Sequence, residues 1–167
     1  MNILALDLGS HLGWALTKRD GSIHGGAEAL DRAKHGSHGA RFLAFMAFLT
    51  TVRNAHGDIH AVYYEDVKRH VSTLSAHSYG GMLAIVQVWC VVNGKIPLYP
   101  LPVKTIKKTW TGNGNADKAL MIACAKQRGF QPVNDDHADA IAILAMACAQ
   151  EGRPFPDVKS KPEGALL

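Results

Sequence analysis

Apolar and polar residues alternate along the chain in blocks whose period changes from one segment to the next. Asn2–Gly9, "NILALDLG", is a short aliphatic run that stops at an aspartate and a glycine. A run apolar on both faces predicts a buried strand. Gly13–Gly21 follows as a second strand, with Asp20-Gly21 as its hairpin turn, and Ser22–Leu30 as a third. The opening therefore predicts a three-stranded antiparallel meander. Over Ser37–Asn54 the apolar positions Phe42, Phe45, Met46 and Leu49 fall at helical spacing, and Gly57 ends the helix. Ile59–Asp66 is another strand ending on acids, and Thr73–Val92 is a long helix containing the pair Gly80-Gly81, where backbones can approach closely. Pro97–Pro102 is a short extended segment, and Val103–Trp110 a brief helix. Thr111–Asn115 is a loop, and two helices follow over roughly Ala116–Arg128 and Asp136–Gln150, the last closed by Gly152.

This order predicts an α/β fold, a five-stranded mixed sheet flanked by helices. One domain is expected over 1–152, with residues 153–167, rich in Pro and Lys, as a loose C-terminal tail. At 167 residues the chain is long enough to bury a real core. A hydrophobic fraction of 47% with 19% charged residues argues against disorder. The apolar runs, such as Ala138–Ala149, read as broken or too short for a bilayer, so no membrane role is expected. Nothing at the N-terminus signals export. Cys90, Cys124 and Cys148 lie far apart inside apolar stretches, which suits buried free thiols and a cytoplasmic setting better than zinc or disulfides. The net charge of +4 leans towards a polyanionic partner.

Acids at element boundaries change the picture. Asp7 ends the first strand, Glu65 ends the fourth, and Asp136 and Asp139 open the last helix on one face. If the first and fourth strands are parallel neighbours, their C-terminal ends lie together, where open α/β sheets place their sites. Four clustered carboxylates repel one another unless cations sit among them, and hard divalent ions suit all-oxygen donors. Two such ions form the clamp used for in-line attack on phosphodiesters. For Asp135, Asp136 or Asp139 taken alone, a helix cap or dipole role is an equal alternative, whereas Asp7, at the end of an all-aliphatic strand, has little structural purpose. Asp66 turns the other way by alternation and reads as a solvated neighbour. Around these acids, "VKRH" (Val67–His70) and "KTIKK" (Lys104–Lys108) read either as solvated charge or as phosphate contacts. Trp110 reads as core, with a base-stacking surface as the alternative.

The segments "LALDLGSHLGWAL", "YYEDV", "KKTWTGNGNADK" and "DDHADAIAIL", in that order, resemble the RuvC family of Holliday-junction resolvases, of the RNase H-like superfamily. The resemblance spans residues 2–149, and the DLG opening is similar to phage-borne versions. It implies a crossover junction endodeoxyribonuclease leaving 5′-phosphate and 3′-hydroxyl ends. Asp7, Glu65, Asp136 and Asp139 would then be the carboxylates holding two Mg²⁺ or Mn²⁺ ions. Lys107 and Lys118 would lie near the scissile DNA backbone, with Lys118 balancing charge on the phosphate being cut. Lys68, Arg69, Lys104 and Lys108 would add DNA contacts. Helix 73–92 would form a twofold homodimer that makes paired cuts in a four-way junction, burying part of the apolar surface offered by Leu74, Met82, Ile85, Val86 and Trp89. Two departures stand out: Leu8 replaces a usual proline, and the loop "VKRHVST" is basic where bacterial members often carry an aromatic residue. The departures leave open a broader branched-DNA or flap endonuclease. His137, between the acids, reads as a neutral bystander or a supporting donor.

Other classes fit less well. "TGNGNADK" lacks the spacing of a phosphate-binding loop and follows a helix rather than a strand. The DLGS opening also occurs in actin-like ATPases, but those need a second lobe. A non-catalytic nucleic-acid-binding module of the same fold would be expected to have lost one of the four acids, and all four are present.

Overall fold

The computed structural model describes residues 1–155. Residues 156–167 of the expected tail lie outside the described residues, while Arg153 donates to the carbonyls of Met1 and Lys18 and Phe155 packs on Trp110 and Phe130.

Five strands form one sheet: β1 (Ile3–Asp7), β2 (His11–Thr17), β3 (Ile23–Ala29), β4 (Ala61–Asp66) and β5 (Leu98–Pro102), in the order β3-β2-β1-β4-β5. The first three are antiparallel, as the meander predicts, and β4 and β5 run parallel to β1. The helices are α1 (Arg32–His35), α2 (His38–His56), α3 (Thr73–Val92), α4 (Val103–Thr111), α5 (Lys118–Gln127) and α6 (Asp135–Gln150). The four-residue α1 carries no signal in the hydrophobic pattern. Serine side chains cap α2 and α3, Ser37 accepting from Ala40 N–H and Ser72 from Ser75 N–H.

Strand alternation divides the core in two. Ile3 and Ala5 of β1, with Ala61 and Tyr63 of β4, pack under α4, α5 and α6. Leu4, Leu6, Val62 and Tyr64 point the other way, against α2 and α3. Fully buried strands must be apolar on both faces, which is why β1 reads as an unbroken aliphatic run. Trp110 belongs to the α6-side core and its indole donates to the Met121 carbonyl, so it is not a base-stacking surface. Gly81 of α3 faces α2, where an added β carbon would stand 2.1 Å from the Phe42 ring; Gly80 faces open space.

One expectation needs correction. By length and composition α3 is apolar enough to cross a membrane, the one such helix among the described residues. Its Met82, Val86 and Trp89 are instead buried in the α2-side core. Those three residues, expected as dimer surface, are therefore spent inside the protomer. Leu74, Val88, Val91 and Val92 remain exposed, at 57%, 51%, 62% and 71%.

Candidate active site

Parity along the strands gathers the acids. Asp7 shares the face of Ile3 and Ala5, and Glu65 that of Ala61 and Tyr63, so both carboxylates look towards α6. The parallel register pairs Leu6 with Tyr64, which sets Asp7 beside Glu65 one residue further on. Asp136 and Asp139 stand on the first turns of α6, over the same corner. Asp66 faces the opposite side and is ion-paired with Lys68.

The four acids feel one another. Burial, then Glu65, Asp139, Asp136 and Asp135, holds the Asp7 carboxyl well above the ordinary carboxylate range. Burial and Asp139 push Glu65 up to about 7, against a lowering by Lys107. Burial pushes Asp139 to about 6, again opposed by Lys107. Asp136 is also raised, by burial and Asp135. Buried like charges that raise each other's proton affinity mark a site built to receive positive charge.

A second feature agrees. Asp139 Oδ1 is buried with no hydrogen-bond partner, a costly state for a carboxylate oxygen. Among the described residues, no group of three or more His, Cys, Asp or Glu side chains is closed tightly enough to hold an ion as it stands. The donors are nevertheless all hard oxygens sharing one electrostatic site, and that set fits Mg²⁺ or Mn²⁺ rather than a soft metal.

The expected basic residues divide. Lys107 is half-buried at the site, its ammonium 2.8 Å from the Ala116 carbonyl. Lys118 opens α5 and is ion-paired with Asp135, whose carboxyl it holds below the ordinary range. Lys104, Lys68 and Arg69 line a groove beside Glu65 that is floored by Val67, Pro102 and Val103. Lys108 is exposed on α4, where its stem packs near Gly114.

His137 is not aimed at the acids. Its Nδ1 accepts from Val133 N–H at 3.2 Å, leaving the proton on Nε2, and burial lowers its pKa. Nε2 faces β3, where a β carbon on Gly25 would stand 2.6 Å away.

Two residues that seat the acids escape a reading of motifs. Asn134 caps α6 by accepting from His137 N–H, while its amide donates to Asp136 Oδ2 at 3.0 Å. Gly13, paired with Asp7, lets the backbone of Asp136 approach the sheet. An asparagine before an apolar helix and a glycine inside a strand were the available signals.

No family model matches the chain. It is 29% identical, over 189 aligned positions covering 100% of this chain and 99% of the relative, to a crossover junction endodeoxyribonuclease RuvC of Sorangium cellulosum. A RuvC of Brachyspira hyodysenteriae is 44% identical over 57 residues, 34% of this chain and 35% of that one. The fold matches T. thermophilus RuvC in complex with a Holliday junction substrate, with TM-score 0.69, 24% identity and coverage of 92% of this chain and 95% of that one. It also matches the yeast mitochondrial Holliday junction resolvase Ydc2, with TM-score 0.62, 14% identity and coverage of 94% and 83%. With its acids in the order of the RuvC motifs and a relative aligned from end to end, the chain is similar to the RuvC resolvases in sequence and shares the fold of their solved structures.

Proposed function

We propose that the protein is a crossover junction endodeoxyribonuclease, cutting four-way DNA junctions by paired, symmetric hydrolysis of phosphodiesters in recombination, repair or phage DNA processing. The observation that carries this reading is the convergence of Asp7, Glu65, Asp136 and Asp139 at one sheet corner, with a buried carboxylate oxygen of Asp139 unpartnered. Asp7 with Asp136 and Asp139 would hold one divalent ion, and Asp7 with Glu65 a second. Such a pair supplies an activated water and stabilises the departing 3′ oxygen. Asp7 is central because it serves both positions.

The remaining chemistry lies with the chain's cations. Lys107 offsets the repulsion between the acids and an incoming phosphate. Lys118 is positioned to exchange its Asp135 partner for DNA. Lys68, Arg69 and Lys104 extend a positive border along the groove, and Lys108 adds a cation on the exposed side of α4. The apolar residues left exposed on α3, Leu74, Val88, Val91 and Val92, support a homodimer through that helix, which presents two acid sites to two strands of one junction. Buried free cysteines suit the reducing cytoplasm of a cell or of an infected host.

A second reading, a broader nuclease for flaps and other branches, is favoured by one feature. The loop after Glu65 carries Lys68 and Arg69, which suit phosphate contacts, while its one aromatic ring, that of His70, is turned towards Tyr79. The test of the main reading is Asp7→Asn, which should fold, bind a four-way junction as tightly as the parent, and lose most cleavage. A folded variant that cuts at the parental rate would refute the assignment of Asp7.

A further inference from the structure

The C-terminal end of β4 has an unusual anchor. Tyr79, on the second turn of α3, donates its hydroxyl to the Glu65 carbonyl at 2.8 Å and accepts from Val67 N–H at 3.3 Å. The carbonyl of one strand residue and the N–H two residues on point to the same side. A single residue of a parallel neighbour would normally take both. Beyond the Leu6–Tyr64 pair β1 offers no further partner, and the phenol oxygen fills that role. The tyrosine is well held: it is 9% exposed, and its ring lies in the core with Met82 and Val86.

The same phenol ties two functional parts together. Val67 begins the basic loop that runs to Ser72, the cap of α3. His70 folds back so that its ring centroid is 5.0 Å from that of Tyr79. Between these ties the loop projects outward, with Val71 99% exposed. One hydroxyl therefore fixes the backbone of Glu65, which aims its carboxylate, and the first residue of the loop beside it.

We infer that Tyr79 is a positioning residue for metal binding by Glu65, and that it links the basic loop to that carboxylate. The inference rests on the nuclease reading above. Removing the hydroxyl frees a carbonyl and an N–H at the strand end, so the Glu65 backbone samples other angles and its carboxylate meets the ion less often. The ring's packing and the surface cations stay as they are.

The test compares wild type with Tyr79→Phe, and with Tyr79→Leu as a second variant in case ring packing alone matters. Three quantities are read: Mn²⁺ affinity by calorimetry without DNA, junction affinity in EDTA, and cleavage rate against Mg²⁺ concentration. Tyr79→Phe removes two hydrogen bonds, and the part of that loss felt at the metal corresponds to about a five- to tenfold change. Tyr79→Phe should weaken Mn²⁺ binding and raise the half-saturating Mg²⁺ by that factor, with junction affinity in EDTA within twofold of wild type. A purely structural tyrosine would lower the melting temperature and leave both metal readouts unchanged, and that result overturns the inference. Equal metal affinity and cleavage in Tyr79→Phe and wild type does the same. A wild-type protein that binds Mn²⁺ but cuts no junction would instead defeat the nuclease reading, and the calorimetric comparison would still decide the role of Tyr79.

Discussion

Gly13 of β2 lies against the backbone of Asp136 on α6 so closely that an added β carbon would stand 1.9 Å from the Asp136 carbonyl oxygen. Gly13 is also the residue paired with Asp7. One missing side chain thus sets the height of the acidic helix over the acidic strand.

Gly13→Ala should therefore damage both stability and chemistry. The clash is with backbone, so α6 must lift. Overpacking of this kind costs about 1–3 kcal/mol, or roughly 2–4 °C of melting temperature for each kcal/mol in a domain of this size. Cleavage should fall further than the stability loss explains, and calorimetry together with a cleavage time course would show it. A variant of wild-type stability and rate would mean that α6 does not depend on this approach.

Protonation of the acids predicts a pH dependence with a definite sign. Glu65 rises from 4.5 to about 7 and Asp139 from 3.8 to about 6 on folding, so the folded chain holds protons that the unfolded chain has released. Metal-free stability should then be greatest at low pH within this pair's range and decline from about pH 4 to about pH 7. Glu65→Gln and Asp139→Asn should raise the metal-free melting temperature at pH 7, and Mg²⁺ or Mn²⁺ should stabilise wild type there more than either variant. Melting curves with EDTA and with Mn²⁺ measure both effects. A wild-type stability that climbs from pH 5 to 7 in EDTA, with no gain in either variant, would contradict the crowding of these acids.

Replacing Lys107 and Lys118 by alanine should weaken junction binding less at high salt than at low, because lysines that meet phosphate act through released counterions. Each ammonium removed from a phosphate should flatten the dependence of log affinity on log salt by about 0.9. An unchanged slope would show that neither ammonium meets phosphate, and would leave Lys118 as the partner of Asp135 and Lys107 as that of Ala116.

Much of this arrangement is legible before folding is considered. The runs Ile3–Asp7 and Ala61–Asp66 are aliphatic or aromatic until they reach an acid, and period-two alternation alone assigns Glu65 and Asp66 to opposite faces. Helix α3 matches its predicted span from Thr73 to Val92. What periodicity cannot assign is the partner of an apolar face. Met82, Val86 and Trp89 look like surplus surface in sequence because the residues that cover them, Phe45 and Leu49 of α2, belong to a helix on the far side of β4 in the chain. The hydroxyl of Tyr79 and the space at Gly13 likewise depend on tertiary approach, and neither residue type declares it.

The most direct measurement is cleavage of a labelled four-way junction, a flap and a linear duplex of matched sequence, each with Mg²⁺ and with EDTA. The account predicts Mg²⁺-dependent, symmetric nicks in the junction, ligatable ends, slower cutting of the flap, and still slower cutting of the duplex. Duplex cut as fast as the junction, or cleavage that persists in EDTA and in Asp7→Asn, would contradict it.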